Sequence, residues 1–256
     1  MRAAALLFLF ALPLLIGQCA KSEGDKPARA TPPPDASVTR AEDEGPIRIE
    51  PLETTGQPPI YVLRGSPRGP EKLVFLHGMC GDGQGYAQSF QHAAARRGTL
   101  IAPQADIRCD GSGARWSKDL DALDARIVAA FRALGHAEPI TDVVVMGYSQ
   151  GATRAESLAR KFPDRYTRLV LLGGPYTANP RGLESLRAAV AMAGERDRLD
   201  LMQASARALK ASKVPATFLA IPEATHGSMG PHPEQTMDEV FNWIAENQRP
   251  RADSSR

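Results

Sequence analysis

The sequence predicts an α/β fold in three layers: a mostly parallel sheet with helices on both faces. Three observations predict it. Short apolar segments alternate with longer stretches whose apolar residues recur at helical spacing. Val143-Val144-Val145 is apolar without alternation, the pattern of a strand buried on both faces of a parallel sheet. Gly98, Gly135 and Pro163 close three of the helical stretches, as helix stops do.

Taken in order, Ile47 to Leu52 and Ile60 to Leu63 are short strands about a Thr-Thr-Gly turn. Leu73 to Leu76 is a buried strand ending at His77-Gly78, and Gln84 to Arg97 is a helix. Leu100 to Ala102 is the next strand. Leu120, Leu123, Ile127, Phe131 and Leu134 mark one face of the following helix. A strand over Asp142 to Met146 leads to a helix with Ala155, Leu158, Ala159 and Phe162 on its apolar face. Leu169 to Leu172 and a weaker Ala188 to Ala193 are strands, and Leu199 to Lys210 is a helix. Ala216 to Ile221 is the last strand, and Met237, Val240, Phe241 and Ile244 face inward from the last helix. These elements define a domain over residues 46–248.

The segment before it has another character. Arg2 precedes an apolar run from Ala3 to Ile16, too short to span a bilayer and the size of a signal-peptide core. Ile16-Gly17-Gln18-Cys19 resembles a bacterial lipoprotein box, in which the Cys is lipidated and becomes the new N-terminus. Gln18 stands where that box has Gly, Ala or Ser. Ordinary secretion with cleavage near Cys19 or Ala20 and a retained anchor are the alternatives. All three put the domain outside the cytoplasm, in the periplasm or cell envelope. Residues 20–45 are Pro-rich, charged and without an aromatic, the composition of a disordered tether. Residues 249–256 form a charged tail, also expected to be disordered. The net charge is +2, from 31 basic and 29 acidic residues, which argues against a broad nucleic-acid surface.

In a sheet of this kind function collects at the carboxyl ends of the strands. There the strongest motif is Gly147-Tyr148-Ser149-Gln150-Gly151, a G-x-S-x-G elbow between a strand and a helix. A tight turn exposes the Ser149 hydroxyl above the sheet edge, and the glycines leave room for neighbouring backbone. The helix that follows aims its free N–H groups at the same place. Leu76-His77-Gly78-Met79-Cys80-Gly81 also follows a strand. Acyl transfer requires an oxyanion site, usually two backbone donors. Gln150 supplies one and Met79 the second. His77 precedes the nucleophile and closes a strand, so it reads as structural.

These residues resemble the α/β-hydrolase superfamily over nearly all of Ile47 to Gln248. Leu76-His77-Gly78…Gly81-Asp82-Gly83 and the Ser149 elbow look most like the small carboxylesterase and acyl-thioesterase branch. Cutinases share the Gly-Tyr-Ser-Gln-Gly string but carry their acid in a disulfide loop absent here. The resemblance implies a triad in the order Ser, acid, His. His226, five residues past the strand ending at Ile221, is then the base, with His232 the other histidine downstream. Gly194-Glu195-Arg196-Asp197 matches the family's Gly-x-x-Asp and assigns Asp197 as the acid, Glu195 and Asp200 being alternatives. Leu199-Asp200-Leu201 departs from the Val-Pro that often follows. The implied activity is hydrolysis of carboxylic esters or thioesters with no metal or cofactor. A serine peptidase and a catalytically idle binding module are the rival readings.

Cys80 and Cys109 should pair in an exported protein, since both lie in loops at one end of the sheet. Residues 173–187 leave no room for a helical lid, so the site should be open to small esters or to esters displayed on a polymer or lipid surface. Tyr86, Trp116, Tyr148 and Tyr176 could equally line a pocket or serve packing.

Overall fold

The computed structural model describes residues 47–53, 56–66, 69 and 71–251. The signal, Cys19 and the tether lie outside the described residues, as does the tail beyond residue 251. Two short strands come first, β1 (Ile49–Leu52) and β2 (Ile60–Leu63), then the buried β3 (Glu71–Leu76). Helices α1 (Gly83–Ser89) and α2 (Gln91–Arg97) return the chain to β4 (Gly98–Pro103). A small hairpin, β5 (Ile107–Arg108) with β6 (Ala114–Arg115), precedes α3 (Leu120–Ala133). β7 (Val143–Tyr148) runs into α4 (Gln150–Lys161), and β8 (Tyr166–Leu172) follows. β9 (Ala188–Gly194), α5 (Leu199–Ala211), β10 (Ala216–Ile221) and α6 (Pro233–Asn247) complete the order.

Eight strands form one sheet in the order β1-β2-β4-β3-β7-β8-β9-β10. β1 and β2 pair antiparallel, as do β2 and β4; every other pair is parallel. The chain winds from β3 outward to β4, then returns to β7 on the opposite side of β3. That reversal opens a crevice beyond the carboxyl ends of β3 and β7, where ligands bind in open α/β sheets.

The strands show why the sheet is sandwiched. Val74, Leu76, Val143, Val145, Leu169 and Leu171 face one apolar cluster with α3, α4 and α5. Their neighbours Leu73, Phe75, Val144, Met146, Val170 and Leu172 face the other, with α1, α2 and α6. Side chains alternate with period two, so a strand apolar at every position must be covered on both faces. Each fully buried Val, Leu or Phe contributes about 1.5–3 kcal/mol of transfer free energy, which drives the layering.

Several elements differ from their predicted form. The helix expected over Gln84 to Arg97 is two helices, broken at buried Phe90 (φ −133°, ψ 32°). The Glu234 carboxylate of α6 accepts from His92 N–H at 2.9 Å and Ala93 N–H at 2.6 Å, capping α2 from across the fold. β7 continues through Gly147 and Tyr148 because they pair with Leu171 and Leu172, and α4 begins at Gln150. β9, the weak strand of the sequence, is buried along its whole length between β8 and β10, pairing that outweighs its alanine-rich composition. The β5–β6 hairpin carried no sequence signal. At the far end, Arg249 N–H donates to the Arg187 carbonyl at 2.9 Å, so the described start of the tail lies against the domain. No helix among the described residues is long and apolar enough to cross a membrane.

Candidate active site

Ser149 is the single residue between β7 and α4, at φ 51° and ψ −112°. A side chain in that region costs of order 1–3 kcal/mol, held here by its surroundings. Its N–H donates to the Leu172 carbonyl at 2.8 Å, and its own carbonyl accepts from Ala152 N–H at 3.0 Å. The flanking glycines are required by close approach. A Cβ at Gly147 would lie 2.2 Å from the Gly151 carbonyl oxygen, and one at Gly151 would lie 2.0 Å from that of Leu76. The turn therefore packs directly on the end of β3.

The loop after β3 lies against the serine: a Cβ on Gly78 would be 3.5 Å from that of Ser149. Gly81 N–H donates to the Gly78 carbonyl at 3.0 Å and closes a turn over Met79 and Cys80. Four further contacts pin the loop. Cys80 is disulfide-bonded to Cys109. Ala114 N–H donates to the Gly81 carbonyl at 3.3 Å. The Gln104 side chain donates to that same carbonyl at 3.1 Å and accepts from Gly83 N–H at 3.0 Å. The hairpin that the sequence did not disclose is thus the buttress of this loop.

His77 is fully buried. Its Nε2 accepts from Ala105 N–H at 3.0 Å, so Nδ1 carries the proton and donates to the Gly78 carbonyl at 2.7 Å. Burial pushes its pKa down and keeps the ring neutral.

His226 sits between β10 and α6. Its Nε2 lies 3.1 Å from Ser149 Oγ, and its Nδ1 lies 2.8 Å from Asp197 Oδ2. The Asp197 side chain is 6% exposed, whereas that of His226 is 53% exposed. Asp197 N–H donates to the Gly194 carbonyl at 2.9 Å, which fixes the turn after β9. Ser149, Asp197 and His226 therefore meet in one linear array. The alternatives stand elsewhere. Glu195 accepts from Glu223 N–H at 2.9 Å, Asp200 pairs with Arg198 at 3.3 Å, and His232 is the N-cap of α6.

The aromatic residues divide. Trp116 and Tyr148 are buried and Tyr176 is 70% exposed. Trp116 N–H donates to Gln150 Oε1 at 2.9 Å, and its indole N–H donates to the His77 carbonyl at 2.7 Å. Tyr148 and Tyr86 both reach Gly227, the residue after His226. Burial pushes the Tyr148 phenol up to about 12 and raises that of Tyr86, so both remain hydroxyls. Sequence reasoning missed these supporting roles. The position of Tyr148 inside the elbow was the only signal available for any of them.

Solved structures share this architecture. One is the substrate-bound fluorophosphonate-binding serine hydrolase F of Staphylococcus aureus: TM-score 0.59, 14% identity, 78% of this chain and 99% of that one. Another is the carboxylesterase CesB of Bacillus subtilis: TM-score 0.57, 14% identity, 78% of this chain and 93% of that one. A third is an S-formylglutathione hydrolase of Staphylococcus aureus: TM-score 0.58, 14% identity, 78% of this chain and 98% of that one. The chain has the α/β-hydrolase fold. No protein-family model and no curated protein matches the sequence. Within the α/β-hydrolase fold, Ser149 occupies the turn between the strand at the centre of the sheet and its helix. Asp197 and His226 follow the last two strands.

Proposed function

We propose that this protein is a serine hydrolase that cleaves carboxylic esters or thioesters through an acyl-enzyme on Ser149. The observation that carries the reading is the array Ser149 Oγ, His226 Nε2 at 3.1 Å, and His226 Nδ1 to Asp197 Oδ2 at 2.8 Å. His226 takes the Ser149 proton as Oγ attacks the acyl carbonyl, and Asp197 stabilises the imidazolium that forms. The backbone N–H of Gln150, first in α4 and so without an acceptor inside the helix, receives the oxyanion together with Met79 N–H. His226 then protonates the leaving alcohol or thiol. It next removes a proton from the water that attacks the acyl-enzyme, which releases the acid and restores Ser149. The similar solved structures include proteins described as esterases and hydrolases, which supports the class.

The site is open. Residues 173–187 between β8 and β9 contain no helix, and His226 is half exposed. Met79 is 60% exposed and Tyr176 70%, and they stand on the loops after β3 and β8, the strands on either side of β7. That arrangement favours small esters or esters displayed on a polymer or lipid surface. An address outside the cytoplasm, by lipidation of Cys19 or plain secretion, is supported by the Cys80–Cys109 disulfide, which persists in oxidising compartments. A Cys19→Ser chain should leave the membrane fraction; one that still fractionates with membranes contradicts the lipid anchor.

Labelling with a fluorophosphonate tests the chemistry. The wild type should be labelled and Ser149→Ala should not. Equal labelling of the two, or none, would sink the proposal. A panel of acyl esters and thioesters beside peptide amides then ranks substrates.

A further inference from the structure

We infer that Tyr86 and Tyr148 form a clamp on Gly227 that sets the position of His226; the inference rests on the function proposed above. The two rings stack with centroids 5.5 Å apart and planes at 28°. Both hydroxyls emerge at the same residue. Tyr148 Oη accepts from Gly227 N–H at 2.8 Å, and Tyr86 Oη donates to the Gly227 carbonyl at 3.1 Å. One tyrosine therefore holds the donor and the other holds the acceptor of the residue after the base.

The contact matters because of what else Tyr148 does. It is bonded to Ser149, and its ring meets the His226 ring edge-on with centroids 5.5 Å apart. Ser149, Tyr148, Gly227 and His226 thus close a ring of contacts, with the 3.1 Å Oγ–Nε2 approach as its last link. Nucleophile and base are linked through one buried residue, by its backbone to Ser149 and by its ring and hydroxyl to the His226 loop. The upstream flank of His226 has its own anchors: Arg196 N–H donates to the Ala224 carbonyl at 2.9 Å and Glu223 N–H to Glu195 at 2.9 Å. The clamp secures the downstream flank. Phe75, 5.2 Å from Tyr86 and 5.4 Å from Phe90 between ring centroids, backs the stack from the core.

The two hydroxyls differ in weight. The Tyr148 hydroxyl meets Gly227 N–H in a part-buried hydrogen bond beside buried aromatic surface, where water replaces a lost acceptor less readily. Removing the Tyr86 hydroxyl frees a carbonyl on the rim of an open hollow of about 410 Å³ lined by Asp82, Tyr86, Gly227 and Met229, where water replaces the donor. Tyr148→Phe should therefore act more strongly than Tyr86→Phe. Both are positioning residues, since neither touches the reacting atoms.

The test compares wild type, Tyr86→Phe, Tyr148→Phe and Ser149→Ala with p-nitrophenyl acetate as the probe ester, circular dichroism verifying the fold. Tyr148→Phe should lower kcat by about ten- to a hundredfold, the scale of a small misplacement of a catalytic group, with KM within about twofold. Tyr86→Phe should lower it by a smaller factor. The low-field proton resonance of His226 Nδ1–H against Asp197 gives an independent readout. It should shift or broaden in Tyr148→Phe and vanish in Asp197→Asn. An unchanged kcat, or a lower kcat with an unchanged resonance, overturns the clamp. If wild type and Ser149→Ala turn over the ester alike, the hydrolase reading fails instead. The resonance then decides the clamp alone: a change upholds it, and no change overturns it.

Discussion

Trp116 holds Gln150. Its backbone N–H donates to Gln150 Oε1 at 2.9 Å while its indole N–H donates to the His77 carbonyl at 2.7 Å. One buried residue after the hairpin thereby ties the end of β3 to the start of α4, the two segments from which the proposed oxyanion donors come. Gln150→Ala should cost about 1–3 kcal/mol, because it strands the Trp116 N–H away from water. It should also lower kcat more than it changes KM. Gln150→Glu keeps an acceptor and should recover most of the stability. Urea unfolding and steady-state kinetics on the three proteins check this; equal stability of Gln150→Ala and wild type would contradict it.

Asp197 is the carboxylate that touches His226. Asp197→Asn should lower kcat by about 10⁴-fold, the scale known for amide replacement in a triad of this kind, by favouring the wrong imidazole tautomer. Asp200→Asn removes only a surface pairing with Arg198 and should leave kcat within about twofold. A reversed ranking in ester hydrolysis would place the acid elsewhere.

The disulfide joins the Met79 loop to its buttress. Cys80→Ser with Cys109→Ser should lose about 2–4 kcal/mol of stability. The Gly81–Ala114 and Gln104 contacts persist, so the loop should loosen rather than unfold, and kcat should fall without loss of the fold. Kinetics and thermal melts of the double variant, with mass mapping of the wild type, provide the check; full activity in the variant would argue against a role in catalysis.

Two of the shifts that bear on the pH dependence of stability belong to residues of the site. His77 titrates below its ordinary 6.5 in the folded chain because burial disfavours the imidazolium. Its contribution is complete above pH 6.5 and is lost as pH falls below that value toward the folded pKa. Tyr148 behaves oppositely, at about 12 against an ordinary 10.0. Its contribution is complete below pH 10 and is lost as pH rises from 10 toward 12. Denaturation midpoints should therefore fall on both sides of a neutral plateau. Tyr148→Phe should make the alkaline limb shallower, to which raised Tyr166 and Tyr86 also contribute. His77→Asn should do the same to the acid limb, to which His136, Asp106 and Asp142 also contribute. An unchanged alkaline limb in Tyr148→Phe would refute the assignment.

The layered sheet was legible because Val143, Val144 and Val145 are apolar without alternation, while Met237, Val240, Phe241 and Ile244 recur at helical spacing, each within a short window. The Ser149 elbow was legible because its motif, Gly147 to Gly151, is contiguous in the chain, although the backbone that demands Gly151 is that of Leu76 in β3. The break at Phe90 was not legible, because the acceptor that caps α2 is Glu234, 142 residues from His92. Nor was the β5–β6 hairpin, whose strands are two residues each and draw their meaning from Gly81.

Local chemistry along the chain thus dictated the element types, their sidedness, the serine of the elbow and the short list of partners for it. Only the folded sheet brought Asp197, the acid the motif had named, against His226 while leaving Glu195 and Asp200 elsewhere, and made Tyr86, Tyr148 and Trp116 supports of the site. The physical reason is separation. Asp197 and His226 are 29 residues apart, Ser149 and His226 77, and Tyr86 and Gly227 141. Contacts of that range are set by the order in which strands pair and the direction in which each loop leaves the sheet. No window of neighbouring residues encodes that order.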